Sequence, residues 1–277
     1  MPRTVYRLRL AMTAPIYDGS ATAQHLATLL DDAYVGAYEV DKITDAQQTL
    51  THADAYAIQR ALLARQCSRG ARLAGRKMGL TSPAKMRQMG VASPIHGYLL
   101  AEGAVADGAV TPMKGLIHPK VEAEIAVITR HELRGPHCTP SQALASISYA
   151  FAAIEVIDSR YRNFRFDLVS VIADNTSASR YVIGAAGVDA KGLDLRHLGV
   201  VLEKNGEVLA TGAGAAVMGH PAASLAALVN LLAEQGDTLP AGSLVMTGGV
   251  TEAHAVQAGD CVRVTVQNVG TASLRFI

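Results

Sequence analysis

Apolar residues recur at helical spacing in two segments near the N-terminus. The first segment, 20–37, begins with Ser20, which suits a helix N-cap. The second segment, 51–70, begins with Thr51 and Asp54, a pair typical of a capping box. The pattern therefore predicts two capped helices in this part of the chain.

Two further helices are predicted where proline follows a capping residue. One begins at Thr139, with Pro140 in the first helical position, which proline favours because it needs no hydrogen-bonded N–H there. The other covers 220–236, with Pro221 near its start and Gly236 at its end, where a left-handed residue commonly closes a helix.

Strand patterns dominate from about residue 95 onward. Residues 200–211 predict a hairpin, because Asn205-Gly206 suits a two-residue type I′ turn. Residues 242–250 predict a buried strand that runs into a glycine pair, and residues 260–277 predict two more strands. The order lacks the regular βαβα alternation of a doubly wound sheet, so the predicted fold class is α+β. We expect an N-terminal helical region over 1–75, in which 1–15 is disordered and Met12 is an alternative start, and a β-rich catalytic domain over 76–277.

The most informative strand pattern is HPKVEAEIAVI, residues 118–128. Glu122 and Glu124 share one face, about 7 Å apart at their Cα atoms, because alternate residues of a strand point the same way. Their neighbours are apolar, which suggests burial on both faces of the strand. Two buried carboxylates without a counter-ion would repel each other and be poorly solvated. They therefore indicate a bound cation.

A third carboxylate, Glu155, lies in a second apolar run, FAAIEVIDS (151–159). Three carboxylates without a nearby His or Cys favour a hard cation, Mg²⁺ or Mn²⁺, over Zn²⁺. Three protein oxygens leave about three of six octahedral positions for substrate and water. Spacing alone leaves an alternative open, in which Glu122 and Glu124 lie on a half-exposed face paired to Lys or Arg.

Composition and charge narrow the possible partners. Of the 277 residues, 49% are hydrophobic, and the net charge is only +1. The hydrophobic fraction predicts a packed core, and the low net charge argues against nucleic acid as a partner. A membrane is not expected as a partner either, since no stretch approaches the ~18 apolar residues of a membrane span. Cys67, Cys138 and Cys261 are too few and too widely spaced for a disulfide framework, which favours a reducing cytoplasm.

Six segments resemble the hydratase/decarboxylase branch of the fumarylacetoacetate hydrolase superfamily. They occur in order over about 200 residues: GRKMGLTS (75–82), HPKVEAEIAVI, IEVIDSRY (154–161), VIADNTSASRYVIG (171–184), TGAGAAVMGHP (211–221) and MTGGV (246–250). The resemblance implies a mixed β-roll or sandwich with a small helical N-terminal part. It also implies that Glu122, Glu124 and Glu155 hold Mg²⁺, or Mn²⁺ in its place.

This branch contains two related activities. One hydrates 2-hydroxypenta-2,4-dienoate, and the other decarboxylates 2-oxohex-3-enedioate, both in the meta-cleavage degradation of aromatic compounds. Hydratases of this type typically carry the acidic motif PDFG, whereas Ile95 stands where its Asp would fall. Hydration needs proton-transfer groups, while loss of CO₂ needs mainly an electron sink. The resemblance therefore favours the decarboxylase, with hydration as the alternative.

The resemblance also suggests roles for residues around the metal. Lys77 is expected to be catalytic and to bind substrate, although a single lysine is more often on the surface. Asp174 is either a catalytic pocket residue or a turn cap, since ADNTS is typical turn chemistry. Leu80, Thr247 and Gly248 are expected to bind substrate, with a tight turn as the alternative for the last two. The three arginines of the next segment are expected to be solvated: Arg160, Arg162 and Arg165.

Other functions are less well supported by the sequence. A hydrolase of acylpyruvates would need an activated water, usually through a His–Glu pair, and the helical N-terminal part offers no clear His for it. A non-catalytic partner of the pathway hydratase is disfavoured by the intact carboxylate set. The family implies a small-molecule 2-oxo dicarboxylate as substrate, a homo-oligomer, and an association with that hydratase.

Overall fold

The computed structural model describes residues 20–82, 86–87, 91 and 93–277. The expected N-terminal extension, 1–15, with its alternative start at Met12, lies outside the described residues. The described residues form the following α-helices: α1 Ala21–Gly36, α2 Ile43–Ala46, α3 His52–Ser68, α4 Pro140–Ser146, α5 Leu168–Ala173 and α6 Pro221–Glu234.

The predicted caps form the helix starts. The Ser20 hydroxyl accepts a hydrogen bond from a backbone N–H of α1, and Thr51 forms a reciprocal capping box with Asp54 at the start of α3. Thr139 forms a similar box with Gln142, which confirms the third predicted helix start. These local hydrogen bonds satisfy backbone N–H groups that have no partner inside a helix.

The larger sheet positions the functional site. Among the described residues it contains these strands: β1 Leu73–Gly79, β2 Ile95–Leu100, β3 Ala104–Val105, β5 Lys120–Thr129, β6 Ile147–Ile157, β7 Ala178–Ile183, β8 Val188–Asp189, β11 Leu244–Gly249 and β12 His254–Ala255. Their main order is β2-β1-β11-β5-β6-β7-β3, and the short strands β12 and β8 pair with β5 and β6. The central strands β5 and β6 are buried along most of their length, so their polar side chains need partners within the fold.

Among the described residues the smaller sheet contains these strands: β4 Ala109–Thr111, β9 Gly199–Lys204, β10 Glu207–Ala213, β13 Cys261–Val266 and β14 Gly270–Phe276. Their order is β10-β9-β13-β14-β4. Asn205 and Gly206 join its first two strands with φ angles of 58° and 86°, the left-handed values of the predicted type I′ turn. The two predicted C-terminal strands are also present.

The main hydrophobic core joins the two sheets and α6. It contains apolar residues of β5 and β6 together with residues of β9, β13 and β14. Leu225 and Leu228 of α6 are fully buried in it. This mixed sheet architecture with N-terminal helices confirms the predicted α+β fold class.

The N-terminal helices pack against a second apolar cluster. Leu26 and Leu30 of α1 and Ile58 of α3 lie there with Ile95 and with Ile172 of α5. Through this cluster the helices contact the strand and the helix that flank the functional site. The domain division at residues 75 and 76 stays a prediction.

One helical stretch in the described residues, Gly214–Glu234, is long and apolar enough to cross a membrane by length and composition. The expectation that no stretch would reach this length was therefore wrong. Half of its most apolar window is buried within the fold, however. Its buried leucines pack in the main core, which accounts for its apolar composition without a membrane.

Candidate metal centre and substrate cavity

Three buried carboxylates converge where β5 and β6 pair. Glu122 lies directly opposite Glu155 in the antiparallel register, and Glu124 follows two residues along the same face of β5. One oxygen of each lies within 4.8 Å of the others. Glu122, Glu124 and Glu155 are 8%, 0% and 1% exposed, respectively. The alternative in which Glu122 and Glu124 lie on a half-exposed face is therefore excluded.

The carboxylate of Glu124 is only partly satisfied by protein donors among the described residues. Oε2 of Glu124 accepts a hydrogen bond from the backbone N–H of Gly248, at 2.8 Å. Oε1 of Glu124 is buried and has no hydrogen-bond partner among the described residues. Burial raises the pKa of Glu124 well above its usual range, and the charges of Glu155 and Glu122 raise it further. Such an electrostatic arrangement is stabilised by a positive ion.

The glycine pair at the end of β11 allows this close packing. The register of β11 against β5 shifts between Met246 and Gly249. Gly248 has φ 114°, a backbone conformation that residues with a side chain rarely adopt. A Cβ on Gly249 would collide with Oε2 of Glu122. The absence of side chains here therefore gives the carboxylates their space.

Lys77 supplies a positive charge at the edge of the cluster. Its Nζ lies 2.7 Å from Oε1 of Glu155 and donates a hydrogen bond to the carbonyl of Thr176, at 3.0 Å. Lys77 is 2% exposed, so it is not the surface lysine of the alternative interpretation. Burial raises the pKa of Glu155, while the Lys77 ammonium acts in the opposite direction.

The donor set fits a divalent hard cation. Three carboxylates carry up to three negative charges, and Lys77 offsets one of them at Glu155. Carboxylate oxygens are the ligands that Mg²⁺ and Mn²⁺ prefer, and the unpartnered Oε1 of Glu124 provides a free ligand atom. Glu122, Glu124 and Glu155 are therefore suited to hold such an ion.

A cavity of about 260 Å³ opens beside the cluster. Lys77 and Glu122 line one part of it, and an apolar wall lines another. The described residues around it include the following: Gly79, Leu80, Ile95, Lys120, Ile157, Phe164, Phe166, Val171, Thr176, Ser177 and Gly249. Its size is suited to a small organic acid rather than a polymer.

The turn after α5 forms another side of the cavity. Asn175, Thr176 and Ser177 all have positive φ, at 48°, 53° and 56°. Side-chain bonds hold this strained turn against β2, since the Asn175 amide pairs with both backbone groups of Tyr98. The Ser177 hydroxyl is buried and has no partner among the described residues. It is therefore available to a ligand.

Asp174 lies beneath this turn, paired with Arg160. The Arg160 guanidinium and backbone N–H donate to the Asp174 carboxylate, and the guanidinium also donates to the Asp174 carbonyl. Both side chains are buried, so the expectation that Arg160 is solvated was wrong, whereas Arg162 and Arg165 are exposed. Burial raises the pKa of Asp174 to about 6, against the influence of Arg160.

The other predicted substrate-binding residues differ in their placement. Leu80 lines the cavity, as does Ile95. The Thr247 hydroxyl donates to the carbonyl of Ile125, at 2.8 Å, and the Gly248 N–H is used by a metal-site carboxylate. A role for Thr247 and Gly248 in binding substrate stays a prediction, as does a catalytic role for Asp174.

Comparison with known proteins places this architecture in a family. The family model described as fumarylacetoacetate (FAA) hydrolase C-terminal matches residues 82–277. The chain belongs to the fumarylacetoacetate hydrolase family. Five of the six motifs that suggested the resemblance lie within the matched region, and GRKMGLTS (75–82) reaches it only at Ser82.

Relatives within the fumarylacetoacetate hydrolase family cover most of the chain. It is 50% identical to 4-oxalocrotonate decarboxylase of Pseudomonas putida over 252 residues, 91% of this chain and 96% of the relative. It is 38% identical to 2-keto-4-pentenoate hydratase of Burkholderia vietnamiensis, over 80% of this chain and 85% of the relative. The structure of 4-oxalocrotonate decarboxylase from Pseudomonas putida G7, complexed with magnesium and adipate, matches with a TM-score of 0.91 and 48% identity, covering 92% and 97% of the two chains.

Several cavity residues were missed by the sequence analysis. Lys120 stands two residues before Glu122, so the alternation of strand side chains could have identified it. Phe164 and Phe166 follow an irregular turn, and Ser177 follows two other residues with positive φ. No local pattern fixes the direction of those side chains.

Proposed function

We propose that this protein is a metal-dependent decarboxylase of 2-oxohex-3-enedioate (4-oxalocrotonate). The products are CO₂ and 2-hydroxypenta-2,4-dienoate or its keto tautomer, 2-oxopent-4-enoate. The observation that carries the proposal is the buried carboxylate cluster with Lys77 at one end of a cavity whose other wall is apolar. The 50% identity to a 4-oxalocrotonate decarboxylase supports the same reaction.

The reaction needs an electron acceptor for the pair that is released when a C–C bond of the substrate breaks. The C5–C6 bond of the substrate breaks, C6 leaves as CO₂, and the electron pair moves through the conjugated chain to the C2 oxygen. A proton then reaches that oxygen in the dienol product, or C3 in the keto product. Mg²⁺ held by Glu122, Glu124 and Glu155, or Mn²⁺ in its place, supplies Lewis-acid stabilisation of this developing charge when bound.

Lys77 is the residue of this chain that can most directly stabilise the negative charge that develops on the C2 oxygen. Its ammonium group is buried 2.7 Å from Glu155 and faces the same cavity as Glu122. A fixed positive charge in a site with little water stabilises an enolate oxygen more than it would in solution. The carbonyl of Thr176 holds Lys77 in position from the other side.

The apolar wall favours loss of CO₂ from the distal carboxylate. Ile95, Ile157 and Val171 line the cavity together with two phenylalanines, Phe164 and Phe166. A carboxylate that loses hydration beside such residues is destabilised relative to the neutral CO₂ it becomes. We therefore assign the departing end of the substrate to this part of the cavity.

Hydration of 2-hydroxypenta-2,4-dienoate is the second candidate, because a 2-keto-4-pentenoate hydratase is 38% identical to this chain. Ile95 distinguishes the two reactions. It is 4% exposed and lines the cavity, and it has no group that can transfer a proton to or from water. This position therefore favours decarboxylation.

A direct assay separates the two candidates. Purified protein is incubated with Mg²⁺ and 4-oxalocrotonate, and CO₂ release is followed with and without EDTA. We expect release that EDTA stops and that excess Mg²⁺ restores. Conversion of the dienoate to 4-hydroxy-2-oxopentanoate, without CO₂ release from 4-oxalocrotonate, would select the hydratase instead.

We also propose a substrate class, an oligomeric state, a partner and a cellular location for the enzyme. The substrate class is a small 2-oxo dicarboxylate, in agreement with the magnesium and adipate in the related structure. We propose a homo-oligomer that associates with the hydratase of the same pathway. Cys67, Cys138 and Cys261 are free thiols, which supports a reducing cytoplasm as its location.

A further inference from the structure

A lysine stands next to the metal centre on the same face of the same strand. Lys120 precedes Glu122 by two residues on β5, so the two side chains point the same way. Both line the cavity. The face of β5 thus presents a cation first and then the two carboxylates of the metal centre.

Lys120 is held by an aromatic ring rather than by a carboxylate. Its Nζ lies 4.1 Å from the centroid of the Phe164 ring, a distance typical of a cation–π contact. Among the described residues it forms no ion pair, unlike Lys77, which contacts Glu155. Lys120 is half-buried. It is therefore a positioned positive charge that a ligand anion can reach.

We propose that Lys120 binds the distal carboxylate of the substrate and selects 2-oxo dicarboxylates over 2-oxo monocarboxylates. This inference rests on the proposed function, because it takes the 2-oxo acid end of the substrate to lie at the metal centre. It adds the residue that recognises the other end, which the comparisons do not identify.

The spacing along β5 matches the length of the substrate. The Cα atoms of Lys120 and Glu122 are separated by about 7 Å along the strand. The terminal carboxyl carbons of an extended six-carbon dicarboxylate are five bonds apart, a comparable length. A substrate with its keto acid at Glu122 and Glu124 therefore reaches Lys120 with its other carboxylate.

The half-buried position of Lys120 suits recognition without preventing CO₂ loss. A fully buried, tight ion pair would stabilise the carboxylate that must leave, and this would slow the reaction. A cation that also contacts Phe164 and remains accessible to water holds the carboxylate more weakly. Loss of Lys120 should therefore raise KM for the dicarboxylate much more than it lowers kcat.

A matched pair of ligands tests the inference without turnover. 2-Oxoadipate and 2-oxohexanoate have the same six-carbon chain and the same keto acid, and they differ in the distal carboxylate. Their affinities for the Mg²⁺-loaded protein are measured by calorimetry for the natural chain and for Lys120→Met, Lys120→Gln and Lys120→Arg. Lys191→Met removes an exposed lysine that does not line the cavity and serves as the charge control.

We expect the natural chain and the Lys191→Met control to prefer 2-oxoadipate by about tenfold. Lys120→Met and Lys120→Gln should lose this preference while binding 2-oxohexanoate unchanged, and Lys120→Arg should keep most of it. An undiminished preference in both neutral variants would overturn the inference. If the preference depends on Lys120 but 4-oxalocrotonate releases no CO₂, only the proposed reaction fails. If CO₂ is released and the neutral variants keep the preference, only the role of Lys120 fails.

Discussion

Glu122 and Glu155 face each other directly across the antiparallel pair of β5 and β6. Like charges opposite each other in a sheet are destabilising, and both of these side chains are buried. Lys77 contacts Glu155 and offsets one of the charges. Glu124 adds a third buried carboxylate beside them. The arrangement is explained by a divalent ion, and several measurable consequences follow from it.

Replacement of Lys77 by methionine should remove a fixed charge from the reacting end of the cavity. We expect kcat for CO₂ release to fall by about 100-fold or more, because removal of one group that stabilises an oxyanion has an effect of that size. Affinity for Mn²⁺ should be retained or increased, since Lys77 lies 2.7 Å from a carboxylate of the metal centre. Lys191→Met, at an exposed position, is the control. A kcat within about twofold of the natural protein would exclude a catalytic role for Lys77.

Asp174→Asn should destabilise the fold by leaving the buried Arg160 without its counter-ion. Breaking a buried ion pair from one side costs about 3–5 kcal/mol, measurable as the free energy of unfolding in urea. Asp41→Asn removes one partner of an exposed pair with Arg162 and should have little effect.

The double variant Arg160→Met/Asp174→Asn should be less unstable than the sum of the two single variants, because neither charge is then left alone. If Asp174 instead acts in the chemistry, Asp174→Asn will lose kcat while its unfolding free energy stays unchanged. That result would restore the prediction that this residue is catalytic.

Gly97→Ala should disturb the strained turn that holds Lys77. A Cβ at Gly97 would lie 2.8 Å from the carbonyl oxygen of Asn175, so the turn would have to move. We expect a loss of about 1–3 kcal/mol in unfolding free energy, typical of overpacking, together with reduced kcat.

The control for this variant is Gly199→Ala, where a Cβ would meet only the flexible side chain of Gln267, at 3.4 Å. Thermal unfolding and CO₂ release are measured for both variants. Equal effects of the two alanines would show that the contact with Asn175 does not constrain the site.

His96 should make the protein less stable at mildly acidic pH. Burial lowers the pKa of His96 to about 3, whereas the unfolded chain has a histidine pKa of about 6.5. Between these values the unfolded state binds the proton more strongly, so the contribution is complete above pH 6.5 and is lost as the pH falls toward 3.

One such histidine changes the unfolding free energy by about 1.4 kcal/mol per pH unit in this window. Between pH 7 and pH 5, the unfolding free energy measured in urea should therefore change less favourably for the natural protein than for His96→Gln, by about 2 kcal/mol. His25→Gln, at an exposed residue, should show the same difference from His96→Gln as the natural protein does. The same pH dependence in all three proteins would contradict this account.

Local patterns in the sequence were sufficient for the helix starts and for the hairpin turn. Ser20, Thr51 and Thr139 bond to backbone groups three residues away, and Asn205-Gly206 determines its turn by itself. Such signals depend on neighbours in the chain. They were therefore readable before the fold was known.

The site was only partly predictable because its geometry depends on distant contacts. The three glutamates were identified from their apolar surroundings and the family resemblance, but the pairing of Glu122 with Glu155 depends on a long-range register. Arg160 was expected in solvent because it begins a group of arginines. Its burial follows from the position of Asp174, which no local pattern shows.

The most direct test of the central claim is the stoichiometry of Mn²⁺ binding, measured by electron paramagnetic resonance on metal-free protein. The account predicts one Mn²⁺ per chain, displaced by Mg²⁺, and no binding at the same concentrations by Glu124→Gln, which keeps the shape of the side chain and removes its charge. Glu252→Gln, at an exposed residue, should bind as the natural protein does. Undiminished binding by Glu124→Gln, or no binding by the natural protein, would contradict the assignment of the metal centre.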